Sequence, residues 1–224
     1  MEYAFTSTTS PTQYRMKRLW VYGCSFSEPF GIEMGGADWD ERGYRKLRAG
    51  YWGTHLATKL NAECITRSLS GVGWNYITEK IDEDILSWTK DDIIVISPSF
   101  FSRVTFEELE HRDIQGSLTA QFKSWDFVAK YNEQRWRNKI DTLQLFGYNV
   151  YTWVVDNPRF VDLPDKLIKA PGDYVSWKEW MDLNKHYWQD PTTNKYPQGD
   201  WHFNEQCHSA VAEGMYKFIC QEQQ

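Results

Sequence analysis

Cysteine is sparse in this chain: Cys24, Cys64, Cys207 and Cys220 are its only four, and no two stand in Cys-x-x-Cys spacing. A chain of 224 residues is large enough to bury a core without disulfide staples, so free buried thiols are expected. His202, Cys207 and His208 beside Asp200 are metal-ligand types, but their spacing matches no standard zinc motif and no second cluster accompanies them, so neither metal nor cofactor is expected. Positive charge is also in deficit, with 25 Lys and Arg against 31 Asp and Glu, a formal charge of −6 and a pI near 5.4. That balance excludes a nucleic-acid surface built on excess basic residues. No apolar run approaches the about 18 residues needed to cross a bilayer, and the first fifteen residues lack the charged-then-apolar order of a secretory signal. The expectation is a cytoplasmic protein without a membrane partner. Internal repeats and low-complexity linkers are absent too, which points to one domain.

Aromatic residues are abundant, with 12 Trp, 13 Tyr and 12 Phe. Trp39, Trp177, Trp180, Trp188 and Trp201 fall in polar contexts that read as loops. Flat amphipathic rings at a cleft rim hold sugar faces, whereas the commoner use of Trp is to fill cores and interfaces. For any one of these residues the core reading ranks first.

Residues 1–15 are polar and rich in Ser and Thr, and read as a flexible arm suited to self-association or assembly; a single domain over 16–224 follows. Strand and helix signals then alternate. Val21 and its neighbours form a first strand, Tyr51 to Leu60 a helix, Ala62 to Thr66 a short strand. Asn75 to Trp88 reads as a helix, with Ile77, Ile81, Ile85 and Trp88 at helical spacing. Ile93 to Ile96 is a continuous apolar run of the kind buried on both faces in a parallel sheet. Residues 119–146 read as a long helix closed by Gly147, Asn149 to Val155 as a fourth strand, and Asn204 to Cys220 as a closing helix after an irregular stretch over 156–200. This order implies an α/β fold, a parallel sheet with helices on both faces.

Ligands of such sheets gather at the carboxyl ends of the strands. There lie Ser25, then Gly71 and Gly73, then Ser97 and Ser99, then Asp156. A serine hydroxyl becomes a nucleophile when a base takes its proton, and the base works best when a carboxylate fixes its tautomer. Ser25, His202 and Asp200 supply those three types. The oxyanion of acyl transfer needs preorganised N–H donors, for which the Ser25 amide and the stretch Ser68-Leu-Ser-Gly-Val-Gly-Trp-Asn75 are candidates. The plainer reading of that stretch is a helix start capped by Asn75 or Ser70. His208 is a rival base, although a histidine inside the closing helix is more often packed; His202 is favoured because loop residues at strand ends reach a nucleophile more freely.

Taken in order, the blocks Gly23-Cys-Ser-Phe-Ser27, Gly71-Val-Gly-Trp-Asn75 and Asp200-Trp-His-Phe-Asn-Glu-Gln-Cys-His208 resemble those of the SGNH (GDSL-type) hydrolase superfamily. Tyr51-Trp-Gly-Thr-His-Leu-Ala57 resembles the helix that this family places between the first two. The resemblance implies a flavodoxin-like three-layer sandwich with about five parallel strands, and hydrolysis of an ester, often an acetyl group on a carbohydrate. It implies Ser25 as nucleophile, Gly73 as oxyanion donor with Asn75 in the same block, His202 as base and Asp200 as its orienting carboxylate. Three departures stand out. Cys24 replaces the usual acidic residue before the nucleophile, and Asp200 and His202 are two apart where three is more frequent. The usual third block, Gly-x-Asn-Asp, gives way to Ile96-Ser-Pro-Ser-Phe-Phe-Ser-Arg103, where a hydroxyl from Ser97 or Ser99 stands in for the asparagine and Arg103 is placed to hold an anionic group. The expected partner is therefore a small-molecule ester or glycan. Two alternatives remain open: an acyltransferase of the same type, and a binding or structural protein that keeps the fold without catalysis. The chain also resembles compact SGNH-like proteins of bacteriophage genomes, which makes the second alternative a virion-associated component.

Overall fold

Short apolar segments separated by helices generate the sheet. The computed structural model describes residues 15–27, 50–69, 71–98, 100–105, 119–121, 126–184 and 205–222; for Ser25, 103–105, 119–121 and Glu205 it describes the backbone alone. The elements run β1 (Arg18–Tyr22), α1 (Trp52–Leu60), β2 (Glu63–Thr66), α2 (Trp74–Asp84), β3 (Ile93–Ile96), β4 (Arg103–Thr105), β5 (Thr119–Gln121), α3 (Asp126–Leu145), β6 (Asn149–Thr152), α4 (Trp177–Leu183) and α5 (Glu205–Glu222).

Four strands form a parallel sheet in the order β2-β1-β3-β6. Its register aligns Val21 with Val95 and Tyr151 on one face, and Tyr22 with Ile96 and Thr152 on the other. Tyr151 packs edge-on against Phe218 of α5, and α5 packs against α1. On the opposite face Tyr22 donates to Asp84 of α2 (3.0 Å), the Trp136 indole of α3 donates to Thr152 (3.1 Å), and Lys139 of α3 pairs with Asp82 of α2. The helices therefore form two layers around a doubly wound, flavodoxin-like α/β sheet. All four residues of β3 are buried, the pattern of a central parallel strand.

The ends of the helices follow from local chemistry. Gly147, at φ +77°, closes α3 in a Schellman turn, its N–H donating to Gln144 (2.8 Å) and that of Tyr148 to Leu143 (3.2 Å). Asn61 takes the same left-handed position after α1. Under the strand N-termini, Arg18 and Asp92 form a buried ion pair, with the Thr89 N–H (2.9 Å) and the Trp20 indole (3.4 Å) also donating to Asp92.

Four sequence expectations need correction. The sheet has four strands where about five were expected: beyond β6 the edge is met by isolated parallel bridges at Leu167 and Ser176. Between them Gly172 (φ +83°) and Asp173 (φ +63°) turn the chain out of the extended conformation. The long helix begins at Asp126, because residues 119–121 pair antiparallel with 103–105 and the ladder overrides the helical preference of Ala120 and Gln121. The second helix stops at Asp84 and gives way to a 3₁₀ turn over Ile85–Ser87. The irregular stretch holds α4, which starts at a serine N-cap: the Ser176 hydroxyl accepts from the Glu179 N–H (3.0 Å). Residues 1–14 and the glycine-rich segment 28–49 lie outside the described residues.

Candidate active site

From β1 the chain crosses to β2 on one side, and from β3 it crosses to β6 on the other. The carboxyl ends of β1 and β3 therefore border the topological switch point, where connections diverge and leave a crevice. The Gly23-Cys-Ser-Phe-Ser27 block occupies the β1 side of it. Gly23 and Cys24 continue from the strand into the core, and Ser25–Ser27 form a single 3₁₀ turn closed by the Ser27 N–H on the Cys24 carbonyl (2.8 Å). A glycine is required at position 23 by space: a Cβ there would lie 2.5 Å from Ser27 Oγ, 2.6 Å from Ser27 Cβ and 3.1 Å from the Ser97 carbonyl oxygen. The backbone of Ser25 thus belongs to a tight turn that is fixed from both sides.

The flanking blocks arrive from the neighbouring strands. The Ser97 N–H donates to the Tyr22 carbonyl (2.8 Å), and the Ser97 hydroxyl, enclosed by protein, donates to the Pro98 carbonyl (3.4 Å). On the other side the Leu69 N–H donates to the Gly23 carbonyl (3.1 Å), which carries the chain after β2 alongside the serine turn. Gly71 then adopts φ +79°, and Gly73, extended at φ −93° and ψ 178°, is the N-cap of α2. This corrects the plainer reading of that stretch. Asn75 lies inside the first turn of α2 and is not its cap, and Ser70 lies outside the described residues.

Beneath this end, Asp84 is buried and accepts from Tyr22 and from both Nε (3.0 Å) and Nη2 (2.8 Å) of Arg67, while the Trp88 indole donates to the Tyr22 hydroxyl (3.2 Å). Burial, and then the Asp84 carboxylate, push the Tyr22 phenol well above its usual range. Tyr22 stays a protonated, structural donor.

Ser25 and Ser97 thus follow the adjacent strands β1 and β3, and Gly73 and Asn75 stand at the start of α2, after the β2 segment that bonds to Gly23. Asp200, His202 and Ser99 lie outside the described residues, and Arg103 belongs to β4, where the backbone alone is described. The rival base His208 sits on α5, half-buried, where its Nδ1 accepts the Trp52 N–H (3.4 Å) and its ring meets Tyr51 edge-on at 6.0 Å. It caps the start of α1, the packed role expected of a histidine in that helix. Trp177 and Trp180 are buried core residues; Trp39, Trp188 and Trp201 lie outside the described residues. A groove of about 1150 Å³ runs between the 163–173 segment and the last turns of α5, and none of the described residues of the three blocks lines it.

What sequence reasoning missed is the pair that opens α1. The Tyr51 hydroxyl donates to the Ser27 carbonyl (2.5 Å) and the Trp52 indole to the Phe26 carbonyl (3.0 Å). The available signal was two adjacent aromatics with polar handles at a helix start, directly before Gly53.

No protein-family model matches the chain, and no curated protein resembles it in sequence. Solved structures align with it at low identity. One described as a lipolytic protein of the G-D-S-L family from Desulfitobacterium hafniense is 9% identical, with a TM-score of 0.47 over 90% of this chain and 99% of that one. One described as a GDSL-like lipase from Parabacteroides merdae is 12% identical, with a TM-score of 0.48 over 92% and 98%. An acetyl xylan esterase from Butyrivibrio proteoclasticus is 12% identical, with a TM-score of 0.46 over 92% of this chain and 64% of its own length, so this chain spans less than two thirds of that protein.

Proposed function

We propose that this chain is a serine ester hydrolase of the SGNH type, acting on an ester such as an O-acetyl group on a carbohydrate. The observation that carries the reading is the Ser25 turn at the carboxyl end of β1, beside the switch point, with the end of β3 bonded to Tyr22 on one side and the segment after β2 bonded to Gly23 on the other. Backbone amides at a helix start and in a tight turn are held in place by the fold, so as donors they need little reorganisation when negative charge develops.

In this reaction His202 removes the Ser25 proton while Oγ bonds to the ester carbonyl carbon, and Asp200 holds the imidazole and stabilises the imidazolium. The carbonyl oxygen takes up the charge against the Ser25 and Gly73 amides, with Asn75 beside them. Ser97 or Ser99 replaces the missing asparagine, and Arg103 holds an anionic part of the substrate. Collapse breaks the bond to the leaving alcohol, which takes the proton from His202. Water activated by the same histidine then hydrolyses the acyl-enzyme and regenerates Ser25; a sugar hydroxyl in place of water would make the same intermediate a transferase step.

The test is hydrolysis of p-nitrophenyl acetate together with labelling by a fluorophosphonate. Wild type is expected to turn over the ester and to take up one equivalent of label at Ser25. Ser25→Ala and His202→Ala should each lower kcat by 10³-fold or more, on the order of the loss in other triads, with unchanged unfolding curves. An inert wild-type serine would sink the esterase and favour the binding-protein alternative, which the replaced third block motivates.

A further inference from the structure

We infer that Tyr51 and Trp52 are positioning residues that clamp the Ser25 turn; the catalytic half of this inference rests on the function proposed above. A 3₁₀ turn of three residues has one backbone bond of its own, from Ser27 to Cys24, so the Phe26 and Ser27 carbonyls must find donors elsewhere. Two consecutive side chains supply them, the Trp52 indole to Phe26 and the Tyr51 phenol to Ser27. Both donors are held rigidly. Tyr51 is 2% exposed and Trp52 is fully buried. The Tyr51 ring lies across Gly53, at which any Cβ would run into ring carbons, and the Trp52 ring stands edge-on to Trp153 at 6.1 Å and 88°. His208 fixes the same residues from α5 through the Trp52 amide and the Tyr51 ring face.

The clamp therefore ties the turn that carries the nucleophile to β6 on one side and to α5 on the other, without contributing a group that touches substrate. Loss of one donor frees a carbonyl and lets the turn drift. A displacement of about 1 Å at a reacting atom is enough to cost on the order of 10²-fold in rate.

Tyr51→Phe removes one oxygen and keeps the ring that covers Gly53. It is expected to lower kcat for p-nitrophenyl acetate and the rate of fluorophosphonate labelling together, by roughly ten- to a hundredfold, with KM within about twofold of wild type. Hydrogen exchange at the Ser27 amide should accelerate while amides of β1 and β3 keep their protection. Trp52→Phe is the second variant, with the same pattern expected. Unchanged exchange at Ser27 in both variants overturns the clamp. So does faster exchange with kcat and labelling rate at wild-type values, since the turn then needs no clamping for its chemistry. A wild-type chain that takes no label overturns the esterase reading instead, and exchange at Ser27 still decides the clamp: faster exchange upholds it, unchanged exchange does not.

Discussion

Gly23→Ala should be costly for a reason confined to one contact, and a double-mutant cycle isolates it. The new methyl would lie 2.5 Å from Ser27 Oγ and 2.6 Å from Ser27 Cβ, against about 3.5–4.0 Å for relaxed carbon contacts. Retreat is blocked, because Ser27 is fully buried and the third neighbour, the Ser97 carbonyl at 3.1 Å, belongs to the backbone that continues the β1–β3 ladder. Overpacking of this kind costs about 2–3 kcal/mol, near the top of the usual range. For a chain of this length that lowers Tm by roughly 5–10 °C. Ser27→Gly alone should be mild: it adds backbone freedom worth about 0.5–1 kcal/mol and removes a buried hydroxyl that has no hydrogen-bond partner. In that background Gly23→Ala loses the two closest contacts and retains the 3.1 Å one with Ser97, so its cost should fall below about 1 kcal/mol, a coupling of at least about 1 kcal/mol. Urea unfolding of the four proteins, with m-values compared, measures the cycle. Additivity within about 0.5 kcal/mol would refute the steric account and move the need for glycine elsewhere.

Acid should weaken the fold through Asp92. Burial alone would raise this carboxyl, but the Arg18 guanidinium, the Thr89 N–H and the Trp20 indole outweigh it and bring it below the usual carboxylate range. A depressed folded pKa gives stability that is complete above the unfolded value, near 3.9, and is lost as pH falls through the folded one. Unfolding free energy should therefore drop below about pH 4 in wild type and less steeply in Asp92→Asn, which at neutral pH also strands Arg18 at a cost of about 3–5 kcal/mol. Equal acid slopes in the two proteins would contradict this assignment. Thiol reactivity gives a separate check: burial pushes Cys64 up to about 12 and Cys207 higher, and Cys24 is buried, whereas Cys220 is partly exposed. Ellman's reagent should titrate one thiol in the native protein and four in denaturant, and a second fast native thiol would show that the core opens.

The sheet was legible because parallel strands buried on both faces are written as unbroken apolar runs, and Leu19–Tyr22 and Ile93–Ile96 are of that kind. Gly147 was legible as a helix end because only the left-handed conformation suits that turn. The β4–β5 pair was not, since three residues without alternation carry no period, and their partnership is decided by tertiary contact. The N-cap at Ser176 could have revealed α4, but the surrounding prolines and aromatics hid a helix of only seven residues. At the site, the sequence marked Gly23 as the end of the first strand and the glycines before α2 as places where backbone can come close to a ligand. That Gly23 is demanded by the Ser27 side chain depends on the path of the 3₁₀ turn, and that Tyr51 and Trp52 reach back to the turn follows from packing across 24 and 26 residues of sequence, which no local pattern encodes.

The tryptophan surplus takes its meaning from the same packing. Trp20, Trp52, Trp74, Trp136, Trp153 and Trp177 are fully buried, so their area stabilises the core, yet several also act as donors where chain leaves a strand. Trp52 serves the Phe26 carbonyl, Trp136 the Thr152 hydroxyl that in turn donates to the Ile96 carbonyl (2.7 Å), and Trp177 the Ile168 carbonyl (3.1 Å). Carbonyls at strand ends are groups that a parallel sheet leaves unpaired, and water is their usual partner. An indole satisfies them from the core side while excluding water. The same indoles therefore fill the core and hold backbone and side chains beside the switch point in place.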